Sequence, residues 1–190
     1  MDETTKLILT TSVPILLAIF GYLATYLYNL KLAQRKEKLE RINRQLSELY
    51  GPMFGITHAS DIAWMQFQKK YRFGKEFFSR SKKLNAKEFV AWQLWMTTVF
   101  MPMNTQLFDL ILAKSDLLIE SEMPESMLLY CAHIAAYRAV LERWKNKDFS
   151  EIQSVIHYPK EINDYAKKSF EFLKAEQDLL LGKVRTRPSS

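Results

Sequence analysis

Apolar and polar positions divide this chain into two regimes. Residues 7–30 form a run of 24 without a charge, LILTTSVPILLAIFGYLATYLYNL, set between Lys6 and Lys31. At about 1.5 Å per residue a helix of this length covers roughly 36 Å, enough to cross a hydrocarbon core of about 30 Å with some tilt. Core helices of soluble domains seldom run so far without a charge, so the pattern predicts a transmembrane helix over residues 1–30. From Lys31 the period changes to heptads: Leu39, Ile42, Leu46, Leu49 and Met53 recur at three and four, with Leu32 seven before Leu39. Glu37 with Arg41 and Glu40 with Arg44 have i,i+4 spacing. This stalk, residues 31–50, reads either as a parallel coiled coil or as one helix packing its stripe on its own domain.

Gly51-Pro52 predicts the end of the stalk, because the residue before proline is pushed out of the α region. A second helix follows to about Arg72, with Ile56, Ala59, Ile62, Ala63, Phe67 and Lys70 on overlapping rows. Asn85 and Glu88 have capping-box spacing ahead of a third helix carrying Phe89, Val90, Trp92, Leu94, Trp95, Val99 and Phe100. Pro102 predicts a kink or break near Met101, after which the pattern resumes through Leu107, Leu110 and Ile111. Pro124 opens a helix over 125–145 with Leu128, Leu129, Ala132, Ala135, Ala136, Ala139, Val140 and Trp144. A long loop then leads to Pro159 and a last helix with Ile162, Tyr165, Ala166, Ser169, Phe170, Leu173, Leu179 and Leu180, closed by Gly182. The expected fold is all-α: a transmembrane helix continuous with a basic stalk, then a helical bundle of four main helices over 51–182 and a disordered tail, 183–190. Five glycines and six prolines agree with long helices.

Charge gives the chain a direction. Asp2, Glu3 and Lys6 precede the apolar run, whereas Lys31, Arg35, Lys36 and Lys38 follow it. Positive charge beside a span stays cytoplasmic, which predicts an inner-membrane protein with its N-terminus outside and its body inside. The lone cysteine, Cys131, forms no internal disulfide and reads as a buried structural thiol. Gly21, with Ala18 and Thr25 on one strip, is a candidate helix-association site within the span. Together with Leu39, Ile42, Leu46 and Leu49 it defines the surface on which a homo-oligomer would form.

Chemistry is sparse. No glutamate stands three residues before His58, His133 or His157, so the ligands of carboxylate-bridged metal bundles are absent, and no metal or cofactor is predicted. Ribonucleases of the HEPN type carry a histidine shortly after an arginine, an order this chain lacks. His133 and Arg138 stand in the reverse order and are read as a structural polar pair. His58, near Asp61, is read as a buried, hydrogen-bonded histidine.

The segment that stands out is basic and aromatic: Lys69, Lys70, Tyr71, Arg72, Lys75, Arg80, Lys82 and Lys83. If the second helix returned antiparallel to the stalk, this connector would lie at anionic lipid headgroups, where bases and aromatic rings both bind. Phosphate contacts and base stacking make nucleic acid the other partner it fits, and a plain solvated connector is the third reading. The phrases Leu49-Tyr-Gly-Pro52, Met101-Pro-Met-Asn104, Ala132-His-Ile-Ala-Ala-Tyr-Arg138 and Asp148-Phe-Ser150, in this order of parts, resemble a class of short bacterial membrane-anchored helical proteins of unassigned function. In layout alone the chain is similar to the membrane accessory proteins of type VI-B CRISPR systems. The resemblance covers nearly the whole chain and brings no activity with it; the expectation is a non-enzymatic effector in antiviral defence or envelope stress that works by self-assembly or by binding a partner or lipid, with a tethered nucleic-acid-binding or degenerate RNase-like module as the competing reading.

Overall fold

The computed structural model describes residues 2–71 and 84–183, apart from the side chains at 4–12 and 14. Every regular element among them is helical. In order they are α1 (Glu3–Gln45), a π turn (Leu46–Tyr50), α2 (Gly51–Tyr71), α3 (Ala86–Trp95), a second π turn (Met96–Phe100), α4 (Met101–Ala113), a single 3-10 turn (Ser115–Leu117), α5 (Glu125–Lys145) and α6 (Glu161–Leu181). One helix near the N-terminus is long and apolar enough to cross a membrane, and none of its apolar window is buried. The tail beyond Lys183 lies outside the described residues.

The break expected at Gly51-Pro52 does not occur. Gln45, Leu46 and Gly51 all hold right-handed helical dihedrals, so residues 3–71 form one continuous helix. Proline offers no N–H, and its ring crowds the carbonyl four residues back, here that of Glu48. The π turn answers both problems. The Gly51 amide reaches five residues back to the Leu46 carbonyl, so the helix widens just ahead of the ring. At Met101-Pro102 the Met101 amide bonds the Met96 carbonyl in the same way. The kink or break expected there thus takes the form of a π turn inside a helix over 86–113.

Which face of each helix is buried depends on partners the periodicity does not reveal. On α2 the buried row is Met53, Thr57, Ser60 and Phe67, while Ile62 is exposed. Thr57 can be buried because its hydroxyl donates to the Met53 carbonyl at 2.9 Å. Phe67 is fully buried, and among the described residues five aromatic side chains surround it: Tyr71, Trp95, Trp64, Trp92 and Phe100, with ring centroids at 4.9, 5.3, 5.7, 5.9 and 6.0 Å. Val90 and Leu94 on α3, and Leu128 and Leu129 on α5, were expected inside and are exposed. Val140 and Trp144 are buried as expected, but the rest of the buried face of α5 is Met127, Tyr130, His133, Ile134 and Tyr137. The capping box at Asn85 and Glu88 forms as the spacing predicts.

Helix α6 runs antiparallel to the long helix and packs along both α1 and α2. Tyr165 meets Tyr50, Gln177 donates to Asn43, Lys38 pairs with Glu176 at 2.7 Å, and Arg35 donates from Nε to the Leu180 carbonyl at 3.0 Å. The acidic turn after α4 folds onto the basic stalk. Lys114 and Glu48 pair at 2.8 Å, and the buried Gln45 amide donates to the Leu117 carbonyl at 3.0 Å. Arg44 turns to Glu48 at 3.3 Å and Asp116 at 3.9 Å, not to Glu40 as its spacing suggested.

Two stability changes follow. Truncating the aromatic hub with Phe67→Ala should cost about 3–5 kcal/mol in chemical denaturation of the detergent-solubilised chain. A Cβ on Gly51 would press into the Leu46 carbonyl. Gly51→Ala should therefore lower the melting temperature, because overpacking of about 1–3 kcal/mol exceeds the helix-propensity gain of about 1 kcal/mol.

Candidate functional site

The basic segment sits at the far end of the long helix. Lys69 and Lys70 are exposed in the last turn of α2, with the Lys70 ammonium 5.3 Å from the centre of the half-buried Tyr71 ring. Arg72, Lys75, Arg80, Lys82 and Lys83 lie outside the described residues. Because α2 continues the direction of α1, Lys70 stands about 60 Å along the axis from Leu30. The antiparallel return that would have brought this segment to the headgroups is overturned, and the missed signal was the π turn that carries the helix past Pro52.

The proposed oligomerisation residues divide. Ile42, Leu46 and Leu49 are buried against their own chain, so the stripe is used inside the molecule and is not open as a coiled-coil seam. Leu39 is half-buried. Gly21 is exposed with nothing near its α-carbon, and Thr25 turns its hydroxyl back to the Gly21 carbonyl at 2.8 Å.

His133 and Arg138 do not form a pair. The ring of His133 is buried, with Nδ1 on the Ile156 carbonyl, whereas Arg138 is exposed and stacks 4.7 Å from the centre of Phe108 on α4. The five-residue separation turns the two side chains to different faces of α5. His58 is also exposed, stacked on Phe54 with centroids 5.6 Å apart. Cys131 is half-buried, and burial raises its thiol above the ordinary value.

Two polar constellations do assemble. Four ring-borne groups hold the irregular loop between α5 and α6 by its carbonyls. Trp92 and Tyr137 both donate to Ile152, at 2.8 and 3.1 Å, Trp144 donates to Glu151 at 2.8 Å, and His133 holds Ile156. The second constellation is a relay. The Ile119 amide donates to the Tyr50 hydroxyl at 3.0 Å, Tyr50 lies 3.0 Å from the Tyr165 hydroxyl, and Tyr165 donates to Glu120 at 2.9 Å. Burial raises both tyrosines, so they remain hydrogen-bonding phenols and not bases. The Lys114 ammonium, backed by Arg44, holds Glu48 below the usual carboxylate range.

Neither constellation places a base beside a nucleophile. An open groove lined by Gln93, Leu94, Thr97, Leu141, Trp144 and Lys145 brings together no carboxylate, histidine or thiol. Among the described residues no three histidine, cysteine or carboxylate side chains gather as a metal site. No protein family, curated protein or solved structure matches the chain.

Burial lowers the pKa of His133 from its ordinary 6.5, an effect the Ile156 carbonyl opposes and nearby His157 reinforces. Above that value the ring is neutral folded or unfolded; below it the unfolded chain takes up a proton that the folded chain resists. Thermal stability should therefore fall as pH drops from about 7 to 5, and His133→Gln should flatten that slope in melts across the same range.

Proposed function

We propose that this chain is a single-pass inner-membrane protein, N-terminus outside, that presents a helical bundle at the cytoplasmic face. It acts without catalysis, by self-assembly or by binding a partner or lipid, in a defence or envelope-stress setting. The observation that carries this reading is the unbroken helix that leaves the apolar run and enters the basic stalk at Lys31. Such a helix transmits the position of the span to the body with no flexible joint. Lys31, Arg35, Lys36 and Lys38 supply the positive flank that fixes orientation. With Ile42, Leu46 and Leu49 used inside the chain, self-assembly falls to the strip around Gly21.

A second reading follows from Lys69 and Lys70 at the distal tip. A basic, aromatic segment held about 60 Å from the span suits a polyanion in the cytosol better than the bilayer its own helix crosses. On this reading the chain tethers RNA or another acidic partner.

Full-length protein should stay in the membrane pellet after an alkaline carbonate wash, and a cytoplasm-active reporter fused after Ser190 should be active. Release into the wash would end the anchor reading, and a reporter active only in the periplasm would end the orientation. Retention of RNA that grows as salt falls, and weakens in Lys69→Ala/Lys70→Ala, would favour the second reading.

A further inference from the structure

We propose that the C-terminal end of α6 is a second membrane contact, seated on the anionic headgroups beside the span. The inference rests on the reading of residues 7–30 as a transmembrane helix. As α6 residue numbers rise, their partners on the long helix fall, from Tyr50 opposite Tyr165 to Arg35 opposite Leu180. Arg35 lies only five residues past Leu30, so the last turn of α6 stands about 8 Å along the axis from the end of the apolar run. That is headgroup depth.

What reaches this level is built for an interface. Leu179 and Leu181 are 71% and 45% exposed, while Leu180 packs inward. Gly182 then turns the chain in the left-handed conformation at φ 69°, and its amide bonds the Leu179 carbonyl. Lys183 follows, exposed, and the sequence continues with Arg185 and Arg187 outside the described residues. On the stretch of α1 around Arg35, Lys31 and Lys36 are both exposed. Acids at the same level are Glu37, Asp178 and Glu176, the last neutralised by Lys38. Exposed leucines beside exposed bases are the combination that binds an anionic lipid surface: the apolar groups enter the interface and the bases meet the phosphates. Arg35 locks the register by donating to the Leu180 carbonyl in the last turn of α6, so the leucines are delivered at a fixed height. The long helix and α6 would then hold the body to the bilayer at two points and resist tilting.

The test uses full-length protein in a Cys131→Ser background, reconstituted in vesicles of phosphatidylcholine with or without phosphatidylglycerol. Single cysteines at Leu17→Cys, Leu179→Cys and Lys69→Cys carry an environment-sensitive dye, read against a lipid-borne quencher. The expected result is quenching at 17 in both lipids, stronger quenching and a blue shift at 179 with phosphatidylglycerol, and no quenching at 69. Lys36→Glu/Lys183→Glu should remove the phosphatidylglycerol effect at 179 and leave 17 unchanged. Quenching at 17 with 179 as unquenched as 69 would overturn this inference alone. No quenching at 17 would overturn the span on which it rests.

Discussion

A single backbone hydrogen bond sets the geometry of the long helix. The Gly51 N–H, reaching five residues back to the Leu46 carbonyl, lets the helix pass a proline that would otherwise end it. Stalk and α2 therefore form one rod and not a hairpin. The rod gives α6 a surface to pack along on both sides of the π turn. Its length separates the two basic regions of the chain: one beside the apolar run, the other at the opposite end. The same solution before Pro102 keeps residues 86–113 as one helix, so the body is built from few, long pieces.

Packing between these pieces relies on amphipathic side chains. Tyrosine, tryptophan and histidine each bury a large ring while carrying a polar tip that needs a partner. Here the tips find backbone carbonyls. Trp92, Tyr137, Trp144 and His133 hold the loop after α5, and Tyr130 donates to the Asn104 carbonyl at 3.2 Å. An irregular loop has carbonyls to spare, and rings from the helices beneath it satisfy them. Loop and core stabilise each other in this way, and no buried side-chain polar atom among the described residues lacks a partner.

Charge along the chain acquires meaning from the same arrangement. Two acids after α4 find partners within the molecule, Asp116 near Arg44 and Glu120 accepting from Tyr165. Opposite signs far apart in sequence thus meet at the stalk. Exposed bases remain at both described ends of the rod, Lys31 and Lys36 at one and Lys69 and Lys70 at the other, where a surface of opposite charge outside the molecule could reach them.

Local chemistry was enough to determine the helices, several of their ends and the apolar run. The Asn85 capping box, the opening of α5 after Pro124 and the left-handed Gly182 all depend on neighbours within four residues. Tertiary structure decided what those helices do with their faces. Whether Gly51-Pro52 breaks or continues depends on Leu46 and Leu49 being clamped in a core, because packing on both sides holds the rod straight through a weak turn. Whether Leu128 or Tyr130 faces inward depends on Asn104 standing 26 residues away with an oxygen to offer. A periodicity records how apolar a face is; it carries no information about a distant hydrogen-bond partner that makes a more polar face the better one to bury.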